Sequence, residues 1–320
     1  WKVIAKDAFD AETESVISSF TTRDLVSGSS ITEAAGFAAR AGHTSLVFDD
    51  KMWVIGGSSC CGGRYNDVWS STDGANWTEV TSEANFPKRT VHASVVFDNK
   101  MWVIGGNRSY YSGNEFDDIW NSSDGITWTK VTGHTNIGPR YGLKMLVFDN
   151  KMWILGGKDV NNTYSANEVW SSSDGITWTR VSENTGVNFY LSEFTVFNNK
   201  IWRIGGYSDT NIYSSTDGIT WVLEEENAPY GQRHRHSVTV WDDKIWLISG
   251  SDKATNELQE LDDVWYTEDG KTWQLASEHA GYTATANHTS LVYDDKIWKI
   301  AGGGGWQSFN IWNDVWTIGY

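Results

Sequence analysis

Cysteine is nearly missing from this sequence: in 320 residues only Cys60 and Cys61 occur, side by side. Adjacent cysteines cannot tie distant segments together, so stability has to come from packing. A vicinal disulfide and two free thiols both fit the pair, but its spacing is not that of a zinc site. Proline is scarce as well, with three residues. No apolar run approaches the roughly 18 residues of a membrane helix, so no membrane insertion is expected. No H-E-x-x-H or other dense metal motif is present, and neither a metal nor a cofactor is expected. Positive charge is short: 25 Lys and Arg stand against 41 Asp and Glu, for a formal net charge of −16. So acidic a protein repels nucleic acid, which is excluded as an expected partner. The sequence opens on Trp1 with no recognisable signal peptide, and any targeting segment is expected to lie outside it.

What is abundant is aromatic surface: 20 Trp, 13 Tyr and 12 Phe. The tryptophans come in phrases. WSSTDGANWTEV at 69–80 returns as WNSSDGITWTKV at 120–131 and WSSSDGITWTRV at 170–181, with shorter relatives at 213–222 and 265–274. A second phrase, VFDDKMWVIGG at 47–57, runs in step with the first and occurs six times. Its tryptophans, Trp53, Trp102, Trp153, Trp202, Trp246 and Trp298, lie 44 to 52 residues apart. A period near 50 marks stacked units, none of which can bury its own apolar surface alone.

Within a unit the pattern is that of strands. Short β-branched and aromatic runs are broken by Asp-Asp, Asp-Asn, Asn-Asn or Asp-Gly, the residues of tight hairpins. Four antiparallel strands, a to d, follow. In the first unit strand a ends at Phe48, b holds Trp53, c holds Trp69 and d holds Trp77. Arg40 with His43, then Gly56–Gly57, Asn66 to Trp69 and Trp77–Thr78 resemble the kelch repeat of β-propellers, and the S-x-D-G-x-x-W hairpin resembles a shortened Asp-box. The resemblance spans residues 38–320 and implies an all-β, six-bladed kelch-type propeller in one domain. It does not imply a function.

The sixth unit ends after its strand c, at Asn313 to Trp316. The segment Trp1 to Ile4 has the form of a strand d, so residues 1–8 are expected to complete the last blade and close the ring. Residues 39–320 then form the six repeats, and 9–38 an insertion. Within the insertion a helix is expected from Asp10 to Phe20, and Ser30-x-x-Glu33 has the form of a capping box. Val16, Ile17 and Phe20 offer an apolar patch by which the ring would join a larger extracellular assembly.

Connection lengths separate two faces. The a–b turns are uniform in all six units and the c–d turns in the five intact hairpins, whereas the b-to-c spacing runs 16, 18, 17, 11, 19 and 18. Variable loops on a rigid scaffold are the usual place for binding, so the b–c and d–a face is the expected functional face. A ring of arginines in one register, Arg40, Arg89, Arg140 and Arg233, would hold acidic groups of a ligand or pair with the repeat's own aspartates. Lys144 and Glu193 replace small residues of strand a in blades 3 and 4, with Tyr141, Tyr190, His234 and Arg235 beside them; they would form either an acid–base or polar recognition site or an ion pair bridging the two blades. Blade 4 also has the shortest b–c loop, which should leave a notch in the rim. Tyr110, Tyr111, Trp306 and Trp312 supply flat aromatic faces for a sugar or a protein.

The sequence is therefore read as a non-catalytic binding propeller, secreted, on a cell surface or periplasmic. Its expected ligand-binding residues are Arg140, Tyr141, Arg233, Arg235, Tyr110, Tyr111, Trp306 and Trp312, and its expected partner is a glycan or an extracellular protein. The alternative is a carbohydrate-active enzyme, of epimerase or polysaccharide lyase type, with Lys144, Glu193, Tyr190 and His234 as its catalytic groups.

Overall fold

The paired turn residues read from the sequence all adopt the left-handed backbone that a two-residue type I′ hairpin needs. Asp49 and Asp50 have φ of 48° and 51°, and the equivalent pairs from Asp98–Asn99 to Asp294–Asp295 follow them. Each turn joins strand a to strand b. In blade 1 the strands are Thr44–Phe48, Lys51–Ser58, Arg64–Ser71 and Thr78–Thr81, paired antiparallel in that order. The computed structural model describes residues 4–6, 12–14, 26–109, 113–132, 135–159, 167–207, 209–252, 259–304 and 310–319. Among them there is no helix. Six antiparallel blades form the β-propeller, with a short extra strand, Arg233–His234, added to the sheet of blade 5. The first strands of successive blades line the axis, and Thr289–Tyr293 of blade 6 packs against Thr44–Phe48 to close the ring.

The repeated phrase is a device for joining blades. In the D-G turn of blade 1, Asp73 Oδ1 accepts the amides of Ala75 and Asn76 at 3.0 and 2.8 Å. Ser71 Oγ accepts the Gly74 amide at 2.8 Å. Gly74 is required there because a Cβ would lie 2.1 Å from Cζ3 of Trp298, the strand-b tryptophan of blade 6. The seat recurs around the ring: Trp53 rests on Gly125, Trp102 on Gly175, Trp153 on Gly218 and Trp202 on Gly270, each leaving under 2.6 Å for a Cβ. The constant five-residue spacing also has a cause. The Trp53 indole N–H donates to the Phe48 carbonyl at 2.8 Å, and the other five strand-b indoles make the same bond.

The turn carboxylates respond to this setting. In Asp124, Asp217 and Asp269 burial pushes the carboxyl up, but the amides and hydroxyl bonded to it outweigh burial. In Asp73 and Asp174 the hydrogen bonds are the larger influence outright. All five sit below the usual carboxylate range, with Asp269 at about 2. A folded value below the unfolded one stabilises the fold above the unfolded pKa of about 3.9 and is lost as pH falls through the folded value. Urea midpoints should therefore decline between about pH 4 and pH 2, and Asp269→Asn should flatten that decline. A midpoint unchanged across this window contradicts the role given to the turns.

Three expectations for the N-terminal region are corrected. The strand that completes blade 6 is Ser27–Thr32, which pairs with Ile311–Gly319, and not residues 1–8. Ile4–Lys6 pairs instead with Glu12–Glu14, so the helix expected from Asp10 to Phe20 is not formed at those residues. Ser30, expected in a helix cap, lies opposite Trp316 in the closing strand. The physical reason is register. Asn313 Nδ2 donates to the carbonyls of Ala35 and Phe37, as Asn66 does to those of Ala84 and Phe86 in blade 1. That contact places Gly28, not Trp1, where the other blades carry their strand-d tryptophan. Tyr282 fills the vacated space, its Cδ1 only 2.9 Å from where a Gly28 Cβ would sit. Val16, Ile17 and Phe20 lie outside the described residues.

Candidate functional site

The arginine register turns out to belong to the scaffold. Arg40 pairs with Asp67, Arg89 with Asp118, Arg140 with Glu168 and Arg233 with Asp263, each from strand-a entry to strand c of the same blade. All four guanidiniums are buried. Tyr65 and Phe116 fold back over Arg40 and Arg89 at 4.6 and 4.5 Å from the ring centroids. Blades 4 and 6 lack this arginine, carrying Phe189 and Thr285, yet the charge is kept. Arg203 and Lys299, each one residue after the strand-b tryptophan, come in from strand b to meet Asp209 and Asp314. Arg140 and Arg233, expected to bind ligand, act instead as structural cross-ties, because both are buried and ion-paired inside the blade.

At the mouth of the channel, just before strand a, one residue per blade takes a left-handed backbone: Gly42, Val91, Gly142, Leu191, Arg235 and Asn287, with φ between 53° and 68°. This geometry points their peptide groups around the axis. Gly142 N donates to Val91 O at 2.9 Å, Val91 N to Gly42 O at 2.8 Å, Gly42 N to Asn287 O at 3.4 Å and Asn287 N to Arg235 O at 3.0 Å. The result is a collar of backbone hydrogen bonds running from blade to blade. Among the described residues no such bond joins Leu191 to Gly142 or to Arg235. The collar is open at blade 4.

One residue further into the channel lies a second ring, of imidazoles and hydroxyls. His92 Nε2 shares a hydrogen bond with Thr44 Oγ1 at 3.0 Å, His43 with Thr289 at 3.0 Å and His288 with Ser237 at 2.8 Å, each reaching the preceding blade. Burial, aided by neighbouring cations, holds His43 at about 3 and His92, His236 and His288 well below the ordinary histidine value, so all four are neutral. Blade 3 has Leu143 in this register, facing Ala93, so imidazole and hydroxyl are lost together. At blade 4 the pattern breaks differently. The hydroxyl that His236 would meet is replaced by Glu193, and Glu193 is ion-paired to Lys144 of blade 3. His236 is 1% exposed and neither ring nitrogen has a partner. Burial pushes the Glu193 carboxyl up, with Lys144 opposing it.

Gap and break coincide. Lys144, Glu193, Leu191, Arg235 and His236 line one cavity of about 230 Å³ along the axis. Beside its mouth, Tyr207 stacks edge-on against Tyr190 and His234, both at 5.4 Å between centroids. Tyr207 sits on the shortest b–c connection, its amide bonded to Tyr190 O at 3.1 Å, and remains 36% exposed. Burial lowers the Arg235 pKa, against the pull of Tyr190, Glu260 and Tyr207.

The sequence expectations divide accordingly. Lys144, Glu193 and Arg235 come together in the cavity, with Tyr190 at its edge. His234 is 1% exposed, so it supports Tyr207 rather than facing solvent. Tyr141 lies beneath Lys158, whose Nζ is 5.8 Å from its ring, and Trp312 lies in the extended third strand of blade 6, opposite Gly302. Tyr110, Tyr111 and Trp306 lie outside the described residues. His236 was missed. Its own register is unremarkable, and the signal was in its partner's position, where an acid stands in place of a hydroxyl. Among the described residues no three His, Cys, Asp or Glu side chains cluster as metal ligands, and Cys60 and Cys61 are free thiols with Sγ atoms 3.0 Å apart.

A model of the DUF6242 beta propeller domain matches residues 43–171 and, overlapping them, 122–230. No curated protein matches the chain.

Proposed function

Since the chain belongs to the DUF6242 β-propeller domain family, a fold suited to binding and interaction, we propose that it is a non-catalytic module that holds a glycan on its b–c and d–a face. The site is at blades 4 and 5. One observation carries this reading: the backbone collar opens only where Tyr207 is half exposed beside Arg235 and the shortest rim loop leaves room above them. A flat phenol face stacks on a sugar ring, and a guanidinium offers forked donors to its oxygens. The scaffold around them is rigid, which keeps the loss of entropy on binding small. The reading places the protein outside the cytoplasm, where polysaccharides are met, and is compatible with a place in a larger extracellular assembly.

The test is binding of the purified protein to a broad polysaccharide and glycan panel, with product analysis of each hit. Tyr207→Ala and Arg235→Ala are each expected to weaken the best hit about tenfold, as loss of a central aromatic or arginine contact does. Their melting temperatures should stay close to that of the parent. Binding that survives both substitutions moves the site elsewhere, and capture of a protein with no glycan binding replaces the sugar reading. A second reading, a carbohydrate-active enzyme, draws on one feature: Glu193, its pKa raised by burial, faces the cavity beside Lys144. New reducing ends, unsaturated sugars or inverted centres that vanish in Lys144→Ala would establish it instead.

A further inference from the structure

We infer that the axial cavity, lined by all six blades, receives the terminal residue of the ligand end-on against its wall at blades 3, 4 and 5, and that this residue is an acidic sugar, a hydroxylated ring bearing one carboxylate. The inference rests on the glycan reading and goes further, fixing the ligand's chemical class and its direction of approach.

Charge comes first. The cavity wall carries two cations, Lys144 and Arg235, and one carboxylate, Glu193. The imidazoles around it add nothing, being neutral. A net positive wall inside a protein of formal charge −16 is a local arrangement, opposed to the molecule as a whole. It selects an anion at one point and discourages a polyanion along the surface.

Unsatisfied hydrogen bonding comes second. His236 lines the same wall with both nitrogens lacking partners, while its three ring-mates each hold a hydroxyl. A neutral imidazole has one donor and one acceptor, and a hydroxyl is both donor and acceptor. Burying such a group without partners is costly, and a bound hydroxyl would return that cost. The three other histidines show that a hydroxyl is what this position accepts. Carboxylate at Lys144 and Arg235, hydroxyl at His236: these are the two kinds of group on an acidic sugar.

Size and access come third. About 230 Å³ is below the roughly 300–1,000 Å³ that encloses drug-sized ligands. It suits one ring. The collar rims the mouth on the other five blades, and end-on entry at the gap beside Leu191 sets one ring against Lys144, Arg235 and His236.

The test is calorimetric titration with D-glucuronate and D-galacturonate beside glucose and galactose. Disaccharides of one uronate and one neutral sugar follow, with the uronate either free at the non-reducing end or capped there by the neutral sugar. The uronates are expected to bind at least tenfold more tightly than the neutral sugars, and the capped disaccharides to lose that advantage. Lys144→Met should weaken uronate binding about tenfold. Glu193→Gln should tighten it, because it removes the carboxylate that competes for Lys144. A purely structural ion pair gives no such opposition of sign, and melting temperatures of both variants show whether each is folded. His236→Leu, which installs the residue blade 3 carries in that register, should weaken all four monosaccharides alike. Equal affinity for glucose and glucuronate, or undiminished binding of the capped disaccharides, overturns the inference. Polysaccharide binding that depends on Tyr207 but is indifferent to uronate overturns the inference alone. Silence toward every saccharide overturns it together with the proposed function.

Discussion

Gly125→Ala is expected to destabilise the propeller by about 3 kcal/mol, a large fraction of a typical folding free energy. Two costs combine at this turn. Gly125 has φ of 74°, a region that costs an L-residue roughly 1–2 kcal/mol. Its new Cβ would also lie 2.2 Å from Cζ3 of Trp53, which is 3% exposed and fixed by its own hydrogen bond to Phe48. Overpacking of this kind costs about 1–3 kcal/mol, since the indole cannot retreat without opening the seam between blades 1 and 2. The measurement is the urea midpoint of the variant against the parent. A matched control is Gly138→Ala, where φ is 81° and nothing lies within 4 Å of the added Cβ, so only the backbone cost applies. If the two variants lose stability equally, the interlock between indole and glycine does not hold the blades together.

Asp118→Ala is expected to cost about 3–5 kcal/mol, because it strands a buried guanidinium. Arg89 is fully buried, bonded to Asp118 at 2.9 and 3.0 Å, to the Gly105 carbonyl at 2.9 Å and covered by Phe116. Asp118 also accepts the Trp120 indole N–H at 2.8 Å, so two donors lose an acceptor together. Burial alone already lowers the Arg89 pKa, and Asp118 is what opposes that shift. Replacing both partners with apolar residues, as in Arg89→Met with Asp118→Leu, should recover much of the loss, since the penalty arises from the unpaired charge. A small effect of the single substitution, read from thermal and urea unfolding, would mean that water reaches Arg89.

Blades 4 and 6 show the same pressure at work in the natural sequence. Each has lost the arginine before strand a and gained a cation on strand b, Arg203 or Lys299, aimed at an acid near strand c. The place to be filled stayed fixed while its source moved. A register argument along the sequence sees only the loss, and it left the four remaining arginines open between a ring for a ligand and pairing with the repeat's own aspartates. Burial and pairing, seen only in three dimensions, identify them as cross-ties.

The closing strand illustrates the same limit. Trp1 resembled the tryptophan of strand d, but the strand is Ser27–Thr32, with Gly28 in the tryptophan's register. The 12-residue spacing from that register to the next arginine holds for Gly28 and Arg40, as it does for Trp77 and Arg89. Spacing carried the information because the d–a connection has a fixed path to cover. Residue identity misled because Tyr282, from the neighbouring blade, fills the place of the absent indole.

The sequence by itself determined the architecture. A 50-residue period, turn pairs that tolerate a left-handed backbone and tryptophans at constant spacing give six four-stranded units, and the resemblance to the kelch repeat implied that they close into a ring. These are local and repeated constraints, and repetition makes them legible. It also marked Lys144 and Glu193 as departures from the template and the fourth blade as the place where the rim is lowest. The tertiary structure alone decided what those departures do. Only across blades does Glu193 pair with Lys144, leaving His236 unpartnered, and only around the axis does the collar reveal its gap at Leu191. Such features depend on which residue of one blade faces which residue of the next, a relation between positions some 50 apart that no single repeat contains.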